Sequence, residues 1–435
     1  MALSVTATAR FVGSLVRDIA GTLRQRWLRF YRRAVLGEEI ATVGVDIFPF
    51  FDQHMTGVGW YEWNLLEALD QRQDGLSFNL YARTFLSPHE APLPAMPGAR
   101  NLRLRVHQLP AGLLFPLQPA LRFLNAVVEP VLRVLDGNDV LFAPNFFMQP
   151  SQLPYGKATV ATVHDLAFAV MPETVATETL AGLKQHLPET LFRAERLIAV
   201  SSSTAQDLAE HLEISPRRIH IVHEGLDPRV AVPPEGTEPL QLEIPDSYLL
   251  FVSTIEPRKN VLGILRAFHL LVKWGYVGDL VLVGRWGWHI DPVRRELDAS
   301  PVRDRILHVD YVERRQLPRL YAGADALLFP SWLEGFGLPI LEAMACGTPV
   351  VTSGQSSMPE VAGPAAVYVD PADPHGIASA VAALLADPLH RERLVRLGRE
   401  RAQRFSWARA AAATAQALRQ AAGLPALEED EYRVE

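Results

Sequence analysis

The sequence contains a single cysteine, Cys346, among 435 residues. One cysteine cannot build an intramolecular disulfide framework or a multi-cysteine zinc site, and such scarcity is typical of a reducing compartment. Cys346 lies in the apolar run LEAMACGTPVV, so a small core side chain is the simplest interpretation and a catalytic thiol is the alternative. The chain also lacks an uninterrupted apolar run near the roughly 18 residues that span a bilayer, and it lacks a compact secretion leader. We therefore expect a cytoplasmic protein.

Positive charge is also scarce. Lys and Arg number 42 against 49 Asp and Glu, and the formal net charge of -7 argues against general nucleic-acid binding. Hydrophobic residues make up 49% and charged residues 21%, as in a globular protein. A chain of 435 residues is too long for one ordinary core, so we expect two large domains.

Residues 1–36 depart from this average composition. Seven arginines and one acid, Asp18, lie between apolar residues that recur every four positions. An apolar stripe opposite an arginine-rich face is typical of a helix lying in an anionic membrane surface. The alternatives are a helix packed on its own protein or on a partner, and a frayed leader. We therefore predict an amphipathic basic helix over residues 1–40, with a peripheral membrane contact on the cytoplasmic face as one hypothesis. The stripe is Phe11, Leu15, Ile19, Leu23, Trp27 and Tyr31.

From residue 41 onward, short β-branched runs alternate with helical patterns. This alternation predicts parallel, doubly wound α/β sheets, with seven strand candidates in the first half and six in the second. Residues 227–247 are rich in proline and lack periodicity, so they are interpreted as a linker. We predict one domain over 41–226, another over 248–405, and a final helix within 406–435 whose N-cap is Ser406 and whose acidic end frays.

The segment EGFGLPILE, residues 334–342, follows the predicted strand ALLFPS. It therefore lies at the carboxyl end of a strand, where open α/β sheets bind ligands. A helix that starts at Pro339 leaves its first amides without helical partners, and these donors suit an anion such as a diphosphate. The amides concerned are those around Gly337, Leu338 and Ile340.

Two glutamates frame this segment. An ionised glutamate only accepts hydrogen bonds, and its two oxygens match a pair of neighbouring hydroxyls. We therefore predict that Glu342 holds a ribose diol and that Glu334 holds hydroxyls of a sugar. The alternatives are dipole compensation by Glu342 in the first helical turn and an ordinary loop carboxylate at Glu334. Gly335 and Gly337 allow backbone to approach a ligand closely.

Three further stretches follow predicted strands. In EPRKN, Arg258 and Lys259 could neutralise a diphosphate, although surface Arg-Lys pairs are common. Gly57 and Gly59 form a glycine turn before a helix, which is either a second phosphate-approach site or a plain tight turn. His164 ends the strand ATVATV and either touches the reacting sugar or acceptor or is structural.

Together these residues resemble glycosyltransferase family 4, the retaining transferases of the GT-B fold. The resemblance is carried by the paired glutamates within PSWLEGFGLPILEAMACGTPVV, by SSMPEVAG and by FSW. It extends from about residue 41 to residue 410 and leaves out the first 40 residues. It implies two Rossmann-like domains facing a central cleft, with the acceptor in the first domain and a nucleotide-diphosphate sugar held mainly by the second.

The resemblance also implies a role for each matching residue. Glu342 would take the ribose, and Glu334 the donor sugar. His164 would lie beside the transferred sugar. No metal and no cofactor other than the substrate would be needed. The diphosphate would be held by Arg258 and Lys259, by the segment Gly335, Phe336, Gly337 and Leu338, and, from the other domain, by Gly57 and Gly59.

Three positions depart from the family pattern. Thr254 and Trp60 stand where members often carry arginine, and Asp310 replaces a glycine in the base-binding strand. The combination of VHDL with EPRKN is similar to bacterial mannosyl- and hexosyltransferases of surface-polysaccharide assembly. This favours GDP-mannose over UDP-glucose, and a glycan or lipid-linked acceptor. The alternatives are a UDP-sugar glucosyltransferase, an epimerase or phosphorylase on a similar scaffold, and a non-catalytic sugar-nucleotide-binding scaffold.

Overall fold

The computed structural model describes residues 23–47, 55, 57–83, 100–107, 137–146, 156–231 and 242–427. Within these ranges, parallel strands form one sheet of seven strands and one of six. The predicted apolar positions Phe11, Leu15 and Ile19 lie outside the described residues, as do residues 232–241 of the predicted linker and the acidic end. Among the helices that the structure describes, none combines the length and apolarity that crossing a bilayer requires.

The first sheet has the strand order β3-β2-β1-β4-β5-β6-β7. Its central strands carry short apolar runs, as over residues 140–143, and Val43, Val45 and Val160 have no exposed surface. Parallel strands covered on both faces need such continuous apolar runs, because helices pack on either side. The strands are β1 (Ala41–Asp46), β2 (Leu76–Arg83), β3 (Leu102–His107), β4 (Asn138–Ala143), β5 (Gly156–Val163), β6 (Arg196–Ala199) and β7 (Ile219–Ile221).

The second sheet has the order β10-β9-β8-β11-β12-β13. Each of its strands matches a run predicted from the sequence, as do the seven strands of the first sheet, so the doubly wound α/β prediction is confirmed. Strands β8 and β11 are neighbours, so the loops that follow them lie side by side. The strands are β8 (Tyr248–Val252), β9 (Asp279–Val283), β10 (Ile306–Val309), β11 (Ala326–Phe329), β12 (Val350–Ser353) and β13 (Ala366–Val369).

Helices connect the strands. Ser201 caps one of them by accepting a hydrogen bond from the amide of Thr204, and Asn260 caps another by accepting one from Gly263. The helices lie at residues 23–34, Gly57–Asp70, Ala167–Val170, Thr177–Arg193, Ser202–Leu212, Val261–Lys273, Asp291–Asp298, Leu317–Gly323, Leu338–Cys346, Met358–Ala362, Pro374–Ala386, Pro388–Ala402 and Trp407–Ala421.

The last helix, Trp407–Ala421, returns to the first sheet. Ser406 caps it as the sequence predicted, and its side chain accepts a hydrogen bond from the Arg409 amide. The helix packs on Gly57–Asp70 and on strands β4, β5 and β6. At the crossing point a Cβ on Gly225 would lie 2.2 Å from the backbone nitrogen of Trp407, so only glycine fits there. The domain boundaries themselves stay predictions.

Substitution of Gly225 tests this crossing. We expect Gly225→Ala to lower the free energy of unfolding by about 2 kcal/mol or more, because the new methyl group collides with backbone that cannot yield. Gly182→Ala is the matched control, since Gly182 lies inside the helix Thr177–Arg193 with no atom near its added Cβ, and it should stabilise by about 0.5–1 kcal/mol. Urea unfolding of both variants measures the difference. Equal effects would contradict the close approach.

Candidate active site

The loops after strands β5 and β11 meet across the cleft between the two domains. His164 follows β5 and Gly335 lies in the loop after β11. A Cβ on Gly335 would lie 1.7 Å from the backbone oxygen of His164, so a side chain at Gly335 would force the two loops apart. The hydroxyl of Thr204 lies 3.3 Å from the carbonyl oxygens of both residues. The loops at the carboxyl ends of strands in the two sheets are therefore in direct contact, and this is the edge at which open α/β sheets bind ligands.

Lys259 and Glu334 form a buried ion pair at this contact. The ammonium nitrogen of Lys259 lies 2.7 Å from both carboxylate oxygens of Glu334. The two side chains are 10% and 6% exposed. Lys259 follows β8 and Glu334 follows β11, so the pairing of these two strands is what brings the charges together. The sequence predicted a phosphate contact for the lysine and a sugar contact for the glutamate. In the structure the two side chains are bonded to each other.

Arg258 extends the ion pair into a cluster. Its guanidinium bonds Glu334 at 3.2 Å and Glu256 at 2.9 Å, and lies 3.7 Å from Asp165 of the first domain. Burial alone would lower the pKa of Arg258, but the nearby carboxylates of Glu334, Asp165 and Glu256 raise it above its ordinary value. The guanidinium is therefore a permanent cation that faces the other domain.

The helix Leu338–Cys346 begins beside this cluster. Gly337 precedes it at φ 111°, a conformation that favours glycine, and no side chain caps the helix. The amide of Ile340 donates to the carbonyl of Gly337 at 3.0 Å, so the prediction that Ile340 offers a free donor is wrong. Pro339 has no N–H, and the donors that remain at this helix end are the amides of Gly337 and Leu338.

Glu342 is the fifth residue of this helix, so dipole compensation within the first turn does not explain it. Its carboxylate is instead held from two sides. The hydroxyl of Tyr321 donates to one oxygen at 2.8 Å, and Arg314 donates to the other at 3.3 Å. Burial, and then the charge of Glu342, raise the pKa of Tyr321 well above its ordinary value, so the phenol keeps its proton. The remaining lone pairs of the carboxylate are oriented before any ligand arrives.

Arg314 was missed by the sequence interpretation, and it connects the glutamate to the first domain. Its guanidinium carbon lies 4.6 Å from the ring centroid of Trp60, and its Nε bonds Asp227 at 2.6 Å. Burial would raise the pKa of Asp227, but hydrogen bonds from Arg229 and Arg314 bring it below its ordinary value. Trp60, which stands where family members often carry arginine, therefore serves as a platform for this arginine.

Four predicted contact residues have surroundings that the sequence did not indicate. Both ring nitrogens of His164 face protein groups, with Nε2 2.8 Å from the carbonyl of Pro144. The ring of Phe336 packs between His223 and Phe405, so only its backbone is available to a ligand. The remaining two, Gly57 and Gly59, lie within the first turn of the helix Gly57–Asp70 rather than in a turn before it, and the space beside Gly57 is open.

Cys346 is a core residue. It is buried, its thiol lies 3.0 Å from the carbonyl of Val230, and burial raises its pKa to about 12. A thiol with this pKa is not ionised at neutral pH and is a poor nucleophile. Across the part of the chain that the structure describes, no group of three or more His, Cys, Asp or Glu side chains is arranged to hold a metal ion.

A second polar contact joins the domains through Glu360. Its carboxylate accepts hydrogen bonds from the Ser202 amide at 2.9 Å and from the Ser203 amide at 3.4 Å, at the N-terminus of the helix Ser202–Leu212. Nε2 of His223 lies 2.5 Å from the same carboxylate. Burial would raise the pKa of Glu360, but hydrogen bonds from His223 and Ser202 bring it below its ordinary value. The negative charge is therefore held by a helix end of the other domain.

A third contact lies at the loop after β9. The indole N–H of Trp288 donates to the carbonyl of Thr174 in the first domain at 2.6 Å. Together with the contacts of Arg258, Arg314 and Glu360, this bond closes the cleft on several sides. In the described conformation the two domains are therefore in contact through polar side chains.

Acidification tests the Glu360 contact. The native pKa of Glu360 is below its ordinary value of 4.5, so its ionised form stabilises the fold at neutral pH, and this stability is lost as pH falls through the native pKa. We expect Glu360→Gln to lower the free energy of unfolding by about 1 kcal/mol at neutral pH, and the deficit to shrink in acid. Glu400→Gln is the control, because Glu400 is 59% exposed in a surface pair with Arg396. If the loss of unfolding free energy in Glu360→Gln grew larger in acid, ionised Glu360 would not be the stabilising form.

Comparison with known proteins identifies the family of both halves. The model of group 1 glycosyl transferases matches residues 238–401, and the model of Glycosyltransferase Family 4 matches residues 55–230. The two matches meet near the predicted linker and together include the ion cluster, both glutamates and the glycines of the first domain. Among solved structures, sucrose-phosphate synthase from Thermosynechococcus elongatus superposes with a TM-score of 0.65 at 20% identity, covering 87% of this chain and 98% of that one.

Two curated relatives have higher identity. The O-antigen chain mannosyltransferase B of Escherichia coli is 33% identical over 283 residues, which cover 62% of this chain and 72% of that protein. The MMP alpha-(1->4)-mannosyltransferase of Mycolicibacterium hassiacum is 33% identical over 222 residues, covering 50% of this chain and 52% of the relative. The chain thus spans most of the first relative and about half of the second.

Proposed function

This chain belongs to the family 4, group 1 glycosyltransferases, and from that premise we propose that it moves a hexose, mannose in particular, from a nucleotide-diphosphate sugar to a glycan or lipid-linked acceptor with retention at the anomeric carbon. The observation that carries the proposal is the buried cluster of Arg258, Lys259 and Glu334 next to the start of the helix Leu338–Cys346. Two cations and two free amides at one helix end form a site for a diphosphate.

The same geometry supports a place for each part of the donor. The diphosphate would lie between the amides of Gly337 and Leu338 and the cations of Arg258 and Lys259. The ribose diol would take the remaining lone pairs of Glu342. Glu334 would offer its carboxylate to the hexose, and the open space beside Gly57 would admit the phosphates from the first domain.

The surroundings of the two glutamates favour a front-face reaction. A retaining hydrolase uses one carboxylate of a closely spaced pair as a nucleophile. Here Glu334 is bound by two cations and Glu342 by Tyr321 and Arg314, so neither carboxylate is placed as a free nucleophile. We infer that the acceptor oxygen forms a bond to the anomeric carbon while the bond between the anomeric carbon and the phosphate oxygen breaks. The leaving phosphate oxygen then takes the proton of the acceptor hydroxyl. Catalysis then consists of positioning and of stabilising phosphate charge.

Mannose is favoured as the sugar by the two relatives described above, both of which are named as mannosyltransferases. We expect GDP-mannose and GDP to raise the melting temperature more than UDP-glucose or ADP-glucose, since a ligand that binds the native state stabilises it. We also expect slow release of mannose from GDP-mannose when no acceptor is present. A panel of nucleotide sugars in both assays tests this. Stabilisation by UDP-glucose alone would favour the glucosyltransferase, and stabilisation without any sugar release would favour the non-catalytic scaffold.

The cations of the cluster provide the next test. Replacing Arg258 or Lys259 by alanine should lower turnover at saturating donor by about 10²-fold or more, because each removes charge stabilisation of the leaving phosphate. Lys273→Ala, at the exposed end of the helix Val261–Lys273, should leave turnover unchanged. Melting curves establish that each variant is folded. Normal turnover in both folded cluster variants would refute the assignment.

Arg314 separates donor binding from chemistry. Arg314→Met removes the hydrogen bond that orients Glu342, so we expect KM for the donor to rise about tenfold while kcat changes little. Arg315→Met is the matched neighbour, because Arg315 is 59% exposed and pairs with Glu313. Its kinetics should stay within twofold of the wild type. A lower kcat with unchanged KM for Arg314→Met would place this arginine in the chemical step instead.

A further inference from the structure

The N-terminal helix is attached to the first domain by its basic side. Residues 23–34 are helical, and Arg29 donates to the hydroxyl of Thr42. Arg33 pairs with Asp139 at 2.6 Å. The sequence left open whether this helix contacts a membrane or packs on its own protein, and Arg29 and Arg33 contact the protein. These two arginines anchor the helix to the amino ends of β1 and β4.

The opposite side of this helix is apolar and faces solvent. Trp27 and Tyr31 stack on each other there, with ring centroids 5.6 Å apart. A row of large apolar side chains in water marks an interaction surface rather than a stable exterior. Scattered single residues would need no such explanation. The exposed fractions on the helix are 49% for Leu23, 62% for Trp27, 68% for Phe30 and 40% for Tyr31, and in the turn that follows it they are 60% for Val35 and 55% for Leu36.

The chemistry of residues 1–36 favours a lipid surface as the occupant of this apolar face. Aromatic side chains next to arginines are typical of helices at the membrane–water interface. Residues 1–36 carry seven arginines and one acid, so this segment has a net positive charge that is complementary to anionic lipid.

The position of the helix determines where the cleft points. The helix lies at the amino ends of β1 and β4, whereas His164 and the glycines of the helix Gly57–Asp70 follow the carboxyl ends of their strands. A strand of six residues separates the two edges by about 20 Å. An enzyme held to a membrane by this helix therefore keeps its cleft away from the lipid surface.

We propose that the apolar face formed by Leu23, Trp27, Phe30, Tyr31, Val35 and Leu36 docks the protein on an anionic membrane, and that the acceptor hydroxyl is presented on a glycan chain extending about 20 Å or more from that membrane. The docking surface stands on the helix alone. The acceptor class rests on the proposed transferase function, and it excludes a single sugar attached directly to its lipid.

Vesicle sedimentation of the full chain tests the docking surface without any catalysis. Wild-type protein should sediment with vesicles of phosphatidylcholine and phosphatidylglycerol, and less with phosphatidylcholine alone. The double variant Trp27→Glu/Phe30→Glu should bind the anionic vesicles at least about tenfold more weakly, because two large apolar side chains no longer enter the interface. Phe192→Glu is the matched control, since Phe192 is 87% exposed on another helix of the same domain, and it should bind like the wild type. All three substitution sites are exposed, and melting curves check the fold.

Three outcomes would overturn the docking surface. They are a wild type that does not sediment with anionic vesicles, a double variant that binds as tightly as the wild type, and a wild-type dimer in solution that the double variant converts to monomer without any lipid binding. Each of these leaves the transferase proposal intact, because mannose release from GDP-mannose in the absence of vesicles does not depend on the helix.

A comparison of acceptors tests the orientation. On anionic vesicles, the wild type should transfer mannose to a lipid-anchored oligomannoside at least about tenfold faster than to a lipid-anchored single mannose. The double variant should transfer to these two acceptors at similar rates. Faster transfer to the anchored single mannose would overturn the orientation. Absence of transfer to any acceptor, including free oligomannoside, would instead count against the proposed function.

Discussion

The ion pairs of Arg258 and Lys259 with Glu334 are the interaction on which the rest of the candidate site depends. Lys259 and Arg258 follow β8 and Glu334 follows β11, so the cluster exists only because these strands are neighbours. A buried ion cluster is a weak source of stability, since desolvation offsets most of the attraction. Its value lies in position: it fixes the loop from which Gly335 approaches His164 and from which the helix Leu338–Cys346 starts. The charged side chains of the cluster and the free amides of this helix therefore lie close together, beside the facing loop of the first domain.

The contacts between the domains are polar and individually modest, which suits a cleft that must open for its substrate. Glu360 binds the end of a helix, Trp288 bonds one carbonyl, and Arg314 lies on Trp60. None of these contacts buries a large apolar surface between the two sheets, so each can be exchanged for water at small cost. The helix Trp407–Ala421, in contrast, packs on the helix Gly57–Asp70 and on strands β4, β5 and β6, so it connects the second half of the chain firmly to the first domain.

The sequence was sufficient for local features and for residues at strand ends. Apolar β-branched runs predicted the strands, and the position of Glu334, Glu342, Arg258 and Lys259 after those strands predicted that they would share a cleft. Long-range partners could not be predicted, because nothing near Arg314 in the sequence points to Asp227, 87 residues away, or near Glu360 to Ser202, 158 residues away. The N-terminal helix shows the same limit, since its periodicity defines two faces but does not say which one contacts the protein.

The arrangement around Glu342 leaves hydrogen-bond acceptor capacity on a carboxylate that is already bonded on both oxygens, as the proposed ribose contact requires. Each oxygen has two lone pairs, and Tyr321 and Arg314 use one on each. A ribose diol can therefore bind the other two without displacing either partner. Because the carboxylate is oriented when the protein folds, little of its rotational freedom remains to be lost on binding, which favours affinity for a ligand with two adjacent hydroxyls. Arg314 also contacts Trp60, so the orientation of the carboxylate depends on the first domain being in place. Under the proposed function, recognition of the nucleoside by the second domain would therefore be coupled to closure of the cleft.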